Sequence, residues 1–192
     1  MKIPLRYQNT KYDCGTTSFV NALTYLYDRE DIPVELLKAI YEFTLDVKNK
    51  EGIVGKGGTS RNHAELLAKY FQKYANEHDE FDITCEVLYG KDVTIKKMQE
   101  VLNKKGVIIA RCWLTDSEHY VLITKIDENF AYIFDPYYLK EDYYVNDEAV
   151  AMVLHETFTH NRIVKIERLF DESLKDFSLL EKNKRSIVLI NR

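Results

Sequence analysis

The chain is expected to fold as a single α+β domain. Three observations predict it: its length, the shift from helical to strand periodicity along it, and the continuous apolar run "GVIIARCWL". At 192 residues it is long enough to bury one sizeable core. Helix-spaced apolar residues fill the first half and strand-like runs the second, the order of an α+β layout.

Taken in order, Phe19, Val20, Leu23, Leu26 and Tyr27 recur at helical spacing and predict a helix over 16–27, capped by Asp13 or the residues just after it. Pro33 opens a second helix in "PVELLKAIYEFTLDV". The stretch "NKEGIVGKGGTS" is a glycine-rich loop, and Thr59 or Ser60 caps a third helix after it. "FDITCEVLYG" alternates and predicts a strand; "TIKKMQEVLNKK" predicts a short helix ended by Gly106. "GVIIARCWL" is a buried central strand, and "HYVLITKIDENFAYIFDPYY" is a pair of strands around a turn at 127–129. A further helix is expected in "NDEAVAMVLHETFTH", capped by Asn146, then strands in "RIVKIERL" and "SIVLI". The whole of 1–192 is one domain, with 169–192 as a C-terminal extension whose "SIVLI" adds or covers a sheet edge.

Composition narrows the function classes. The formal net charge is −4, and no long basic block is present, so nothing points to nucleic acid. No run reaches transmembrane length, and "MKIPLRYQNT" lacks the apolar stretch of a signal peptide. The 3 cysteines are too few and too scattered for a disulfide framework or a zinc site. No histidine pair has metalloprotease spacing, and "GKGG" at 55–58 is no phosphate loop. These features read as a cytoplasmic protein with no metal, no cofactor and no membrane segment. The tyrosines of "DPYYLKEDYYV" can line a ligand groove or form the wet edge of a sheet.

Cys14 is the informative cysteine, because it stands at the start of a helix. A helix N-terminus favours thiolate over thiol, and a thiolate is a nucleophile. A nucleophile needs a base, and the base an orienting partner. His119 begins one strand and Asp135 ends the next, so a hairpin turning at 127–129 brings them to the same end. Gln8, on the loop before Cys14, can place an amide beside the Cys14 N–H as an oxyanion donor. Each residue has a plainer reading. Cys14 can be a small buried apolar residue, Asp135 a turn residue before Pro136, and Gln8 an ordinary loop glutamine. Cys85 and Cys112 read as core.

The ordered set Gln8, Asp13–Cys14–Gly15, His119–Tyr120–Val121 and Asp135–Pro136 resembles the papain-like cysteine peptidases that remove double-glycine leaders from bacteriocin precursors. It is most similar to the stand-alone, C39-like members. The resemblance spans roughly residues 5–168 and includes "GGTSRNHAELLAKYF" and "IKKMQEVLNKKGVIIARCWL". It implies a papain-like fold with Cys14 as nucleophile, His119 as general base, Asp135 as orienter and Gln8 as oxyanion donor. A peptide or protein substrate and a preference for small residues before the cut come with it. Thr16 and Thr17 depart from the pattern, which has small or apolar residues there. Two other functions fit the same residues: acyl transfer to an amine, and a catalytically silent peptide-binding module.

Overall fold

The computed structural model describes residues 1–192. Seven strands form one antiparallel sheet: β1 (Thr84–Tyr89), β2 (Val107–Leu114), β3 (Ser117–Ile126), β4 (Phe130–Phe134), β5 (Val150–Met152), β6 (Arg162–Lys165) and β7 (Ser186–Asn191), in the order β1-β7-β2-β3-β4-β6-β5. Alternation along the strands feeds two cores. Val107, Ile109, Leu122 and Phe134 face one side, against α1 (Cys14–Leu26), α2 (Val34–Phe43) and α3 (Arg61–Glu77). Ile108, Ala110, Val121 and Ile133 face the other, against α4 (Ile95–Leu102), α5 (Ile166–Leu169) and the segment through Phe177.

α1 is the central helix, and its burial exceeds what a one-sided apolar stripe implies. Phe19, Ala22 and Leu23 are fully buried, worth about 1.5–3 kcal/mol for each large side chain. Its polar residues are buried as well, and several find partners. Ser18 Oγ donates to the Tyr120 carbonyl at 3.0 Å, and the Asn21 amide pairs with the backbone of Arg6 in both directions at 2.9 Å. Thr16 Oγ1 donates to the Thr44 hydroxyl at 2.8 Å, which in turn donates to the Ile40 carbonyl at 2.7 Å. Thr16 thus ties the start of α1 to the end of α2.

Local signals placed several elements. Pro33 precedes α2, Ser60 caps α3 through the His63 N–H, and Thr94 caps α4 through the Lys97 N–H. Asp127 Oδ1 accepts from the N–H groups of Asn129 and Phe130, closing the β3–β4 turn. Asp13 occupies the cap position of α1, but its carboxylate turns back to the N–H groups of Asn9 and Thr10 instead of capping the helix.

Three expectations are corrected. Residues 146–160 form no helix, so Asn146 caps nothing; Val150–Met152 becomes β5, the rest turns, and Val153 N–H bonds to the Asn161 carbonyl. Val150 and Met152 fit a two-residue period as well as a helix, and β6 needs a partner for its outer edge. "RIVKIERL" is strand only to Lys165, after which α5 begins. "SIVLI" lies not at an edge but between β1 and β2, paired to both. The last strand therefore lies inside the sheet, one place in from its β1 edge.

Candidate active site

Cys14 is the first residue of α1, where the first-turn N–H groups have no intrahelical acceptor. The glycine-rich loop folds over this turn: a Cβ on Gly15 would meet Thr59 Oγ1 at 2.7 Å, so only glycine lets the loop lie this close. Gly58, at φ +82°, turns that loop back. His119 is carried by β3 and Asp135 follows β4, and the antiparallel pairing of these strands sets both at one end of the hairpin. His119 Nε2 is 2.8 Å from Asp135 Oδ1, leaving Nδ1 as the ring nitrogen available to the thiol. The Tyr137 ring stands edge-on to the imidazole at 6.4 Å between centroids.

The electrostatics follow from these contacts. Burial pushes the Cys14 thiol up, but the His119 charge, a hydrogen bond from His119 and N–H groups of Tyr120 and Gly15 outweigh it, so its pKa falls below that of an ordinary thiol. Burial works against a proton on His119; the Cys14 charge and the hydrogen bond to Asp135 outweigh that, and its pKa rises to about 10. Both directions favour a thiolate–imidazolium pair.

The pair opens on a cleft of about 470 Å³. Lys11, Tyr12 and Lys56–Gly58 line one part of it, Leu114–Glu118 another, with Tyr137 alongside. Glu118 is ion-paired with Arg111. The largest concavity, about 960 Å³, lies instead beside β5 and contains none of Cys14, His119 or Asp135. Tyr138 and Tyr144 line it, while the Tyr144 hydroxyl donates to Asp176 at 2.9 Å.

The structure thus brings Cys14, His119 and Asp135 together. Gln8 is adjacent through its backbone, its N–H donating to the Pro136 carbonyl at 2.9 Å. Its side chain is turned elsewhere: Nε2 donates to the Thr10 carbonyl at 2.6 Å, Oε1 is buried without a partner, and Gln8 is not among the residues lining the cleft. Two neighbours escaped the sequence reading. Asn161 brackets the Asp135 backbone, and Arg162 bonds its carboxylate. An arginine opening an apolar strand was the one available signal.

Helices packed on an antiparallel sheet, with a thiol at a helix N-terminus facing a sheet-borne histidine, define the papain-like α+β class. The chain belongs to the peptidase C39-like family, whose sequence model matches residues 1–160. Among solved structures it is similar to a candidate C39-like peptidase from Bacillus anthracis, with 17% identity and a TM-score of 0.52, covering 99% of this chain and 95% of that one. No curated protein matches the chain. No helix is long and apolar enough to cross a membrane.

Proposed function

We propose that the protein is a cysteine peptidase that hydrolyses peptide bonds, with Cys14 as nucleophile, His119 as acid and base, and Asp135 as orienter. The observation that carries this reading is the Cys14 thiol facing a histidine whose far nitrogen is held by a buried carboxylate at 2.8 Å, at the floor of an open cleft. The Cys14 thiolate attacks the carbonyl carbon, forming a C–S bond and an oxyanion. The free N–H groups at the start of α1 receive the oxyanion. Gln8 joins them as a donor by exchanging its bond to the Thr10 carbonyl for the oxyanion. As the C–N bond breaks, the His119 imidazolium gives its proton to the leaving amine. His119 then takes a proton from water as the water oxygen attacks the thioester; the C–S bond breaks, the acid leaves and the thiolate–imidazolium pair is restored.

The test is the pH dependence of iodoacetamide labelling at Cys14, read by peptide mass spectrometry, followed by digestion of a peptide library. Labelling well below pH 8 in the wild type, shifted upward in His119→Ala, together with Cys14-dependent cleavage, is the expected result. A Cys14 that titrates like a free thiol in both proteins rejects the reading.

A further inference from the structure

The most deeply buried cation in the molecule lies behind this machinery. Arg162 opens β6 and is 0% exposed, as is Asp135. Its Nη2 donates to Asp135 Oδ2 at 3.3 Å and to the Tyr137 carbonyl at 3.2 Å, and its Nη1 donates to the Asn161 carbonyl at 2.9 Å. Asn161 grips the same residue by its backbone: it accepts from the Asp135 N–H at 2.7 Å and donates to the Asp135 carbonyl at 2.8 Å. The Tyr137 N–H completes the shell at Oδ1, at 2.8 Å. One carboxylate oxygen thus serves His119 and Tyr137, and the other serves Arg162.

Stability alone does not call for such a pair. A buried ion pair can often be replaced by apolar groups of similar size without loss, whereas removing one partner strands the other. What the pair does here is hold a charge in a chosen place. We propose that Arg162 and Asn161 are positioning residues: Arg162 holds the Asp135 carboxylate in place behind His119, and Asn161 fixes the backbone from which it is aimed. This rests on the peptidase reading and extends it to residues that never touch substrate. The groups facing His119 are Cys14 from α1, Cys112 from β2, and Asp135 with the Tyr137 ring from the chain after β4. Arg162 is the only other cation bonded to Asp135.

The sign follows from the chain of charges. Without the guanidinium, Oδ2 of the buried carboxylate loses its charged donor and the carboxylate is no longer held against His119. A carboxylate displaced from His119 no longer supports the imidazolium proton, and Cys14 then needs a higher pH to become thiolate. Arg162→Met, Arg162→Lys and Asn161→Ala are compared with wild type by the pH midpoint of Cys14 labelling and by kcat and KM on a cleaved peptide. In Arg162→Met the midpoint is expected to rise by about one pH unit, with kcat down at least about tenfold and KM little changed. Arg162→Lys is expected to restore most of the midpoint, since it keeps the charge. If Arg162→Met does not fold, the other two decide: a lower kcat at unchanged KM in Asn161→Ala, with an upward midpoint shift in Arg162→Lys smaller than about one unit, supports the inference. Folded variants that all titrate and turn over as wild type overturn it. If wild-type Cys14 shows no depressed titration for His119→Ala to abolish, the peptidase reading fails first, and the two failures are told apart.

Discussion

Two thiols flank the same imidazole. Cys14 reaches it from the start of α1, and Cys112 sits opposite His119 in the β2–β3 ladder. Both are buried, at 7% and 0% exposure, yet they are driven in opposite directions. Burial, then the nearby Asp135 and Cys14 charges, push Cys112 well above an ordinary thiol. Burial pushes Cys14 the same way, but the His119 charge and hydrogen bond, with the Tyr120 and Gly15 N–H groups, reverse it. Cys85, away from the site, shows the default: burial alone pushes it up to about 12. Exposure therefore does not separate the candidate nucleophile from a core cysteine in this molecule. Donors aimed at the sulfur do: His119 and the Tyr120 N–H reach it from β3, and the Gly15 N–H from the start of α1.

The largest expected effect breaks the contrast at its source. Cys14→Ala should abolish peptide cleavage, and His119→Ala should lower kcat/KM by about 10²- to 10⁴-fold while moving Cys14 labelling up towards an ordinary thiol near pH ~8.5. Mass-spectrometric labelling across pH reads both thiols at once, and Cys112 should stay unlabelled until the protein unfolds.

The same contrast predicts the shape of the activity profile. On the acid side, activity should appear as Cys14 loses its proton, below the pH of an ordinary thiol. On the alkaline side it should fall as His119 deprotonates near about 10, because the leaving amine then lacks its proton donor and the thiolate its counter-charge. An alkaline limb near pH ~6.5, the usual histidine value, would place the imidazole outside the pair.

Gln8→Ala tests whether donors at the Cys14 end extend beyond the helix. A loss of about 10²-fold in kcat with little change in KM is expected of an oxyanion donor. A change below about threefold leaves the backbone N–H groups as the donors and the Gln8 amide as a clasp on Thr10.

The smallest effect is expected at Cys112. Cys112→Ala should leave kcat/KM within about twofold and cost about 1 kcal/mol in thermal or denaturant unfolding, since it removes only a small buried group. A large activity loss with the fold intact would mean that the thiol behind His119 takes part in the chemistry.

Much of the site was legible because its signals are local. Cys14 at the helix start needed only the apolar spacing of Phe19, Val20 and Leu23 behind it. His119 and Asp135 came together on paper because Asp127 closes a short turn, which forces the flanking strands to run side by side. The orientation of the Gln8 amide was not legible, since it depends on where the Thr10 carbonyl lies. The false helix at 146–160 arose because Val150 and Met152 suit either period, and pairing with β6 decided between them.

The chain's own order of residues determined where the helices α2 to α4 begin and that the β3–β4 hairpin forms, because caps, periodicity and turn residues act over a few positions. It also determined which cysteine could be a nucleophile. Only the tertiary structure decided that "SIVLI" enters the sheet between β1 and β2 and that Arg162 lies against Asp135. Strand order and the neutralising of a buried charge are settled between residues far apart in the chain, by which unpaired edge and which uncompensated charge the folded interior must satisfy.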